Sequence, residues 1–218
     1  MHELLNYLLI PDYYSSKQPR IKHFLILLGF YILAGITFGF FSSGIIKYYH
    51  LKNIVFATLH GNMILYAIIL APLCEESLFR SLLKFKKINI ILFISALTLY
   101  GGIAIFHSNY FHLSIISILL ISFITLLIII PRSKIEAFIV TNFKYFFWAT
   151  AIVFGLVHLS NFIGNIYILM AFSLILTAPQ IVAGFILGYI RMNYGLVYSM
   201  LFHVAINSTI LLIVFKHT

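Results

Sequence analysis

Two adjacent carboxylates, Glu75 and Glu76, stand at the end of an apolar run that begins at Ile64, and Arg80 follows the second of them by four residues. The chain has only five acidic side chains, so a pair placed in such a setting calls for an explanation. Acids inside a membrane segment mark function by default. On a helix, Glu76 and Arg80 share one face in the favourable acid-first order, whereas Glu75 is turned away by about 100°. The spacing predicts that Arg80 keeps Glu76 ionised while Glu75 is left for proton transfer. The structural alternative is an ion pair near the interface, with Glu75 reaching out to water. Two further polar groups lie downstream. His158 closes Phe154-Gly155-Leu156-Val157-His158, and His203 and Asn207 sit four apart in the last apolar segment. Either could simply bond helices together. As a set, the three segments offer more. A carboxylate with an imidazole can hold and deprotonate a water, and a second imidazole with a carboxamide can stabilise the oxyanion formed when that water attacks a carbonyl.

The elements that must position these groups are membrane helices. Of 218 residues, 62% are hydrophobic and 9% charged, with a mean hydropathy of +1.08. Soluble domains carry about 25% charged residues, which excludes an ordinary water-soluble globule. A span needs about 20 apolar residues, and apolar segments occur near 23–43, 62–83, 88–107, 112–131, 145–162, 165–192 and 195–216. Segment 165–192 carries Pro179 and Gln180 and reads either as one kinked span or as two short helices, 165–177 and 179–192. Gly184 and Gly188 offer a small face for close helix contact. Residues 1–22 read as an interfacial segment with no cleavable signal. The expectation is a single membrane domain over 1–218, an all-α polytopic bundle of seven to eight transmembrane helices around a polar, water-accessible cavity.

The formal charge of +9 lies in short clusters between apolar runs, the distribution of topogenic charge and not of a nucleic-acid footprint. One set of ends holds Lys17, Arg20, Lys22, Lys84, Lys86, Lys87, Arg132, Lys134, Lys144 and Arg191, and the other Lys47, Lys52 and Lys216. This asymmetry predicts a cytoplasmic N-terminus.

Glu75-Glu76-x-x-x-Arg80, Phe154-x-x-x-His158 and His203-x-x-x-Asn207 together resemble the CPBP family, the CAAX proteases and bacteriocin-processing enzymes also called the Abi group. Gly184 to Asn207 resembles the family's last conserved block almost throughout. The match covers residues 62–83 and 145–216, and the hairpin 88–131 reads as an insertion. The resemblance implies an intramembrane endopeptidase. In it Glu75 and His158 activate water, His203 and Asn207 form the oxyanion hole, and Glu76 and Arg80 support them. His107 is nearer to Glu75 in sequence than His158 but lacks an aromatic residue four positions earlier, which favours His158.

Three rivals stand beside this reading. Glu75, His158 and His203 could hold Zn²⁺ with an open position, although there is no His-Glu-x-x-His helix and Arg80 disfavours a divalent cation; the expectation is no cofactor. Cys74 could act as a nucleophile, but a small thiol in a helix contact is the commoner use of such a residue. A non-catalytic protein of the same fold could serve bacteriocin immunity, act as a membrane partner or transport a solute, although no internal repeat supports a transporter. The composition, rich in Ile, Phe, Lys and Asn, suggests a bacterial inner membrane. The expected partners are the bilayer and a peptide, membrane-protein or lipopeptide substrate.

Overall fold

The computed structural model describes residues 2–54, 62–107 and 129–215. Most of the helix expected over 112–131, together with His60, His112, Lys216, His217 and the side chain of His107, lies outside that description. The described chain is all-helical apart from one two-stranded ladder. An amphipathic α1 (His2–Leu9) buries Leu4 and Tyr7 while Leu5 and Leu9 stay exposed. An extended stretch then leads to α2 (Ile21–Tyr48) and β1 (Lys52–Asn53). Next come α3 (Asn62–Leu65), a π-helical turn (Tyr66–Leu70), α4 (Ala71–Phe79), a 3-10 turn (Ser81–Leu83) and α5 (Lys87–His107). The second half holds α6 (Arg132–Thr141), α7 (Phe143–Val157) with a 3-10 extension (His158–Asn161), and β2 (Phe162–Ile163). It ends with α8 (Ile166–Ala171), α9 (Ser173–Leu176), α10 (Ala178–Tyr194) and α11 (Leu196–Phe215).

Among the described residues three helical segments are long and apolar enough to cross a membrane: Ile21–Tyr48, Phe143–Asn161 and Leu196–Ile213. Many of their side chains face outward, among them Leu33, Ile36 and Phe40 of α2 and Leu201 of α11. Exposure of this kind is what a hydrocarbon surround would select. The segment expected over 165–192 is broken: the chain leaves helical geometry at Thr177, and Pro179 occupies the first turn of α10. Proline suits that position because the first-turn N–H groups have no intrahelical acceptor.

The core is organised around α10, which packs against α2, α7 and α11. Its close contact with α7 depends on glycines. A Cβ on Gly184 would sit 2.5 Å from the Ala151 carbonyl oxygen, and one on Gly155 would sit 2.7 Å from the Ile181 nitrogen. Around this contact Phe147, Phe154, Ile186, Leu187 and Ile190 fill the interior. Arg191 departs from the sequence reading, which counted it among the charges at membrane ends. It is buried, and its Nε donates to the Arg80 carbonyl oxygen at 3.0 Å. A basic residue one turn from a helix end can turn inward when a carbonyl with a lone pair to spare faces it, as that of Arg80 does beside its bond from the Leu83 N–H, and sequence clustering does not register that option.

Candidate active site

The acid pair is carried by a helix that changes pitch just before it. In the π-helical turn the Ala71 N–H reaches back five residues to the Tyr66 carbonyl, and Pro72 has no N–H to give. Neither residue that ordinarily serves the Ala67 carbonyl is therefore left to do so. The Asn207 side-chain amide fills the vacancy, donating to Ala67 O at 2.8 Å. A π-turn also inserts one extra residue, which rotates everything after it and sets the direction in which Glu75 and Glu76 point.

Glu76 is fully buried and closely held. His203 Nδ1 lies 3.1 Å from its Oε1, Arg80 Nε stands 3.8 Å from its Oε2, and the Ser199 hydroxyl donates to Oε2. Arg80 is itself wholly buried. Its guanidinium carbon lies 4.8 Å from the Phe154 ring centroid, and Nη1 donates to the Thr150 carbonyl at 3.4 Å. The Phe154 ring also touches Phe79, His158 and His203. Phe154 is thus the packing piece on which the cation and both imidazoles rest.

Glu75 faces the other way, as its rotation requires. Its Oε2 is 3.9 Å from His158 Nε2 and 3.8 Å from His203 Nε2. These separations exceed a direct hydrogen bond, and Glu75 Oε2 is shielded without a hydrogen-bond partner among the described residues. The tautomer of His158 follows from its other nitrogen. Nδ1 lies 2.8 Å from the Phe154 carbonyl oxygen, which can only accept, so Nδ1 carries the hydrogen and Nε2 of the neutral ring presents a lone pair to Glu75. Two acceptor atoms facing one another across this gap can share a proton or take both hydrogens of one water.

The three groups line a cavity of about 420 Å³, together with Asn207, Gln180 and Asn161. The Gln180 side-chain oxygen is likewise shielded and without a partner among the described residues. Cys74 is partly buried and does not line the cavity. Among the described residues no set of three or more His, Cys, Asp and Glu side chains is placed to hold a metal ion.

All six residues singled out in the sequence meet at the cavity or directly beneath it: Glu75, His158, His203 and Asn207 line it, and Glu76 and Arg80 support them. Asn207 is on the wall, but its amide hydrogen is directed at Ala67 O and away from the Glu75 gap. Ser199 and Gln180 were not singled out as site residues. Ser199 could have been found, because it precedes His203 by the same four-residue step that separates His203 from Asn207, forming one stripe on α11. Gln180 carries no comparable signal beside Pro179. Comparisons with protein-family models, curated proteins and solved structures find no match to this chain.

Proposed function

We propose that the chain is an intramembrane endopeptidase of the glutamate type, resembling the CPBP enzymes, in a bundle of seven to eight membrane helices with a cytoplasmic N-terminus. The observation that supports this most is the approach of Glu75 Oε2 to His158 Nε2 and His203 Nε2, at 3.9 and 3.8 Å, on the wall of one cavity. In this reading water enters the cavity and sits in the gap between Glu75 and His158. Glu75 accepts a proton from the water as its oxygen attacks the peptide carbonyl, and later delivers that proton to the leaving amine. His203, its Nδ1 held by Glu76, faces the developing oxyanion with Nε2, which donates when the ring carries both hydrogens, and a carboxamide on the wall faces it too. Glu76 and Arg80 hold His203 and the acid-bearing turn in place. The chemistry requires no metal ion, and turnover by purified protein is expected to survive exhaustive chelation. The substrate is a peptide, or the terminus of a membrane protein or lipopeptide, admitted within a bacterial inner membrane.

Glu75→Gln tests the reading. The amide keeps the shape of the carboxylate but cannot accept the proton, so cleavage of a quenched peptide library by reconstituted protein is expected to fall by at least a thousandfold with the fold intact. Unchanged cleavage would remove Glu75 from the mechanism. A non-catalytic membrane partner is the second reading, favoured by the engagement of Asn207 with Ala67 O. It predicts no Glu75-dependent cleavage of any peptide.

A further inference from the structure

A second cavity, of about 550 Å³, lies away from the acid pair, between the N-terminal segment and the start of α2. Its lining is strongly basic: His2, Lys17, Arg20, Lys22 and His23 surround it, with Glu3 and Tyr194. Glu3 does not neutralise the set, because it is already committed to Lys17, whose Nζ donates to it at 2.7 Å. That bond holds the Glu3 carboxyl below its ordinary range. Arg20 and Lys22 are exposed and have no acidic partner among the described residues.

These charges are presented on a fixed frame. The Lys17 N–H donates to the Asn193 carbonyl at 2.7 Å, the Ser15 hydroxyl donates to Asn193 Oδ1 at 2.5 Å, and His23 Nδ1 lies 2.5 Å from the Tyr194 hydroxyl. The segment before α2 is thereby tied to the end of α10, and the cavity is the concavity left between them. Its surroundings are apolar. Ile26 of α2 lines it and is 41% exposed, and beside the basic residues on the same turns Ile21 is 81% exposed and Leu25 64%. The cavity also lies at the start of a 28-residue helix containing an 18-residue stretch of mean hydropathy 2.3, which places it at the level where a spanning helix meets the headgroups.

We propose that this cavity binds the phosphate headgroup of an anionic phospholipid, with Arg20 and Lys22 on the phosphate and the acyl chains lying along Ile21 and Leu25. Basic pockets at helix ends recognise such headgroups. The exposed apolar rim favours a lipid over free phosphate, which has nothing to place there. The proposal rests on the placement of α2 in a membrane and is independent of any cleavage by the protein.

The test uses the full chain in a neutral detergent, titrated with phosphatidylglycerol or phosphatidylcholine of identical chains, with retained lipid counted by native mass spectrometry. Phosphatidylglycerol is expected to bind at least tenfold more tightly. Each basic residue near a membrane surface contributes about a fivefold effect, so Arg20→Gln with Lys22→Gln is expected to weaken phosphatidylglycerol roughly thirtyfold and leave phosphatidylcholine unchanged. Lys86→Gln with Lys134→Gln removes the same charge elsewhere and is expected to change binding less than twofold. Should the first double variant not purify, Lys22→Gln alone carries the test with a fivefold loss. Equal retention of the two lipids, or an equal loss in the Lys86 and Lys134 variant, overturns the proposal. Displacement of phosphatidylglycerol by millimolar inorganic phosphate also overturns it, by making the site one for free phosphate.

Discussion

Asn207 of the last helix donates its side-chain amide to the Ala67 carbonyl oxygen at 2.8 Å, about two turns ahead of the acid pair. The bond exists because Pro72 cannot supply the N–H that the π-helical turn would otherwise use there. A residue that the resemblance assigns to an oxyanion hole therefore also fastens α11 to the element that aims Glu75. Under the proposed function, a loss of activity on changing Asn207 would have two sources, and they can be separated.

Asn207→Ala leaves the Ala67 carbonyl without a donor. An unsatisfied polar group of this kind costs about 1–3 kcal/mol, so a lower melting temperature is expected in detergent. Pro72→Ala returns an N–H to the turn. In the Pro72→Ala and Asn207→Ala double variant, the stability loss is expected to be smaller than the sum of the single losses. Strict additivity of the melting data would show that the carbonyl does not couple the two residues.

Glu76 and Glu75 are expected to separate cleanly by stability. Glu76→Gln removes the charge that faces buried Arg80, and breaking a buried pair on one side costs on the order of 3–5 kcal/mol. The variant should unfold at a markedly lower temperature or fail to accumulate, whereas Glu75→Gln should melt like the parent. Ser199→Ala removes a hydrogen bond to the same carboxylate and should cost about 1.5–3 kcal/mol. Equal melting temperatures for Glu75→Gln and Glu76→Gln would contradict the division between the two acids.

Much of this arrangement was legible because it depends on helical spacing. The four-residue step brings Arg80 to Glu76, and the rotation between neighbours turns Glu75 to another side. The apolar runs gave the approximate extents of α2, α5, α7 and α11. What was not legible depends on contacts between segments. The inward turn of Arg191 answers to a carbonyl on another helix. The π-turn at Tyr66–Leu70 and the amide that completes it involve residues on either side of most of the chain. Ladder pairing of Asn53 with Phe162 also joins distant segments, each too short to carry a strand pattern.

Gln180 is expected to act on substrate and not on the fold. Gln180 lines the cavity, and its side chain makes no hydrogen bond among the described residues, so Gln180→Ala breaks none there. A neutral hydrogen bond contributes about 0.5–1.5 kcal/mol, and kcat/KM should fall roughly two- to tenfold while the melting temperature stays within experimental scatter. A change confined to melting temperature would place Gln180 among the structural residues instead.

The contact between α7 and α10 gives a sharp stability contrast among glycines. At Gly184 an added methyl meets the Ala151 backbone, with its carbonyl oxygen at 2.5 Å and its Cα at 3.1 Å, so relief requires the two helices to move apart. Overpacking of a well-filled interior costs about 1–3 kcal/mol, and here the displacement would pass to His158, because α7 carries it at its end. Gly184→Ala is therefore expected to lower both the melting temperature and turnover. Gly35 lies on α2 with nothing within 4 Å of where its Cβ would be. Gly35→Ala gains helix propensity, since glycine is about 1 kcal/mol worse than alanine in a helix interior, and it should melt at or above the parent temperature with activity unchanged. Opposite signs for the two variants, measured side by side in one detergent, are the expected result; a similar loss in both would mean that the α7–α10 approach does not limit stability.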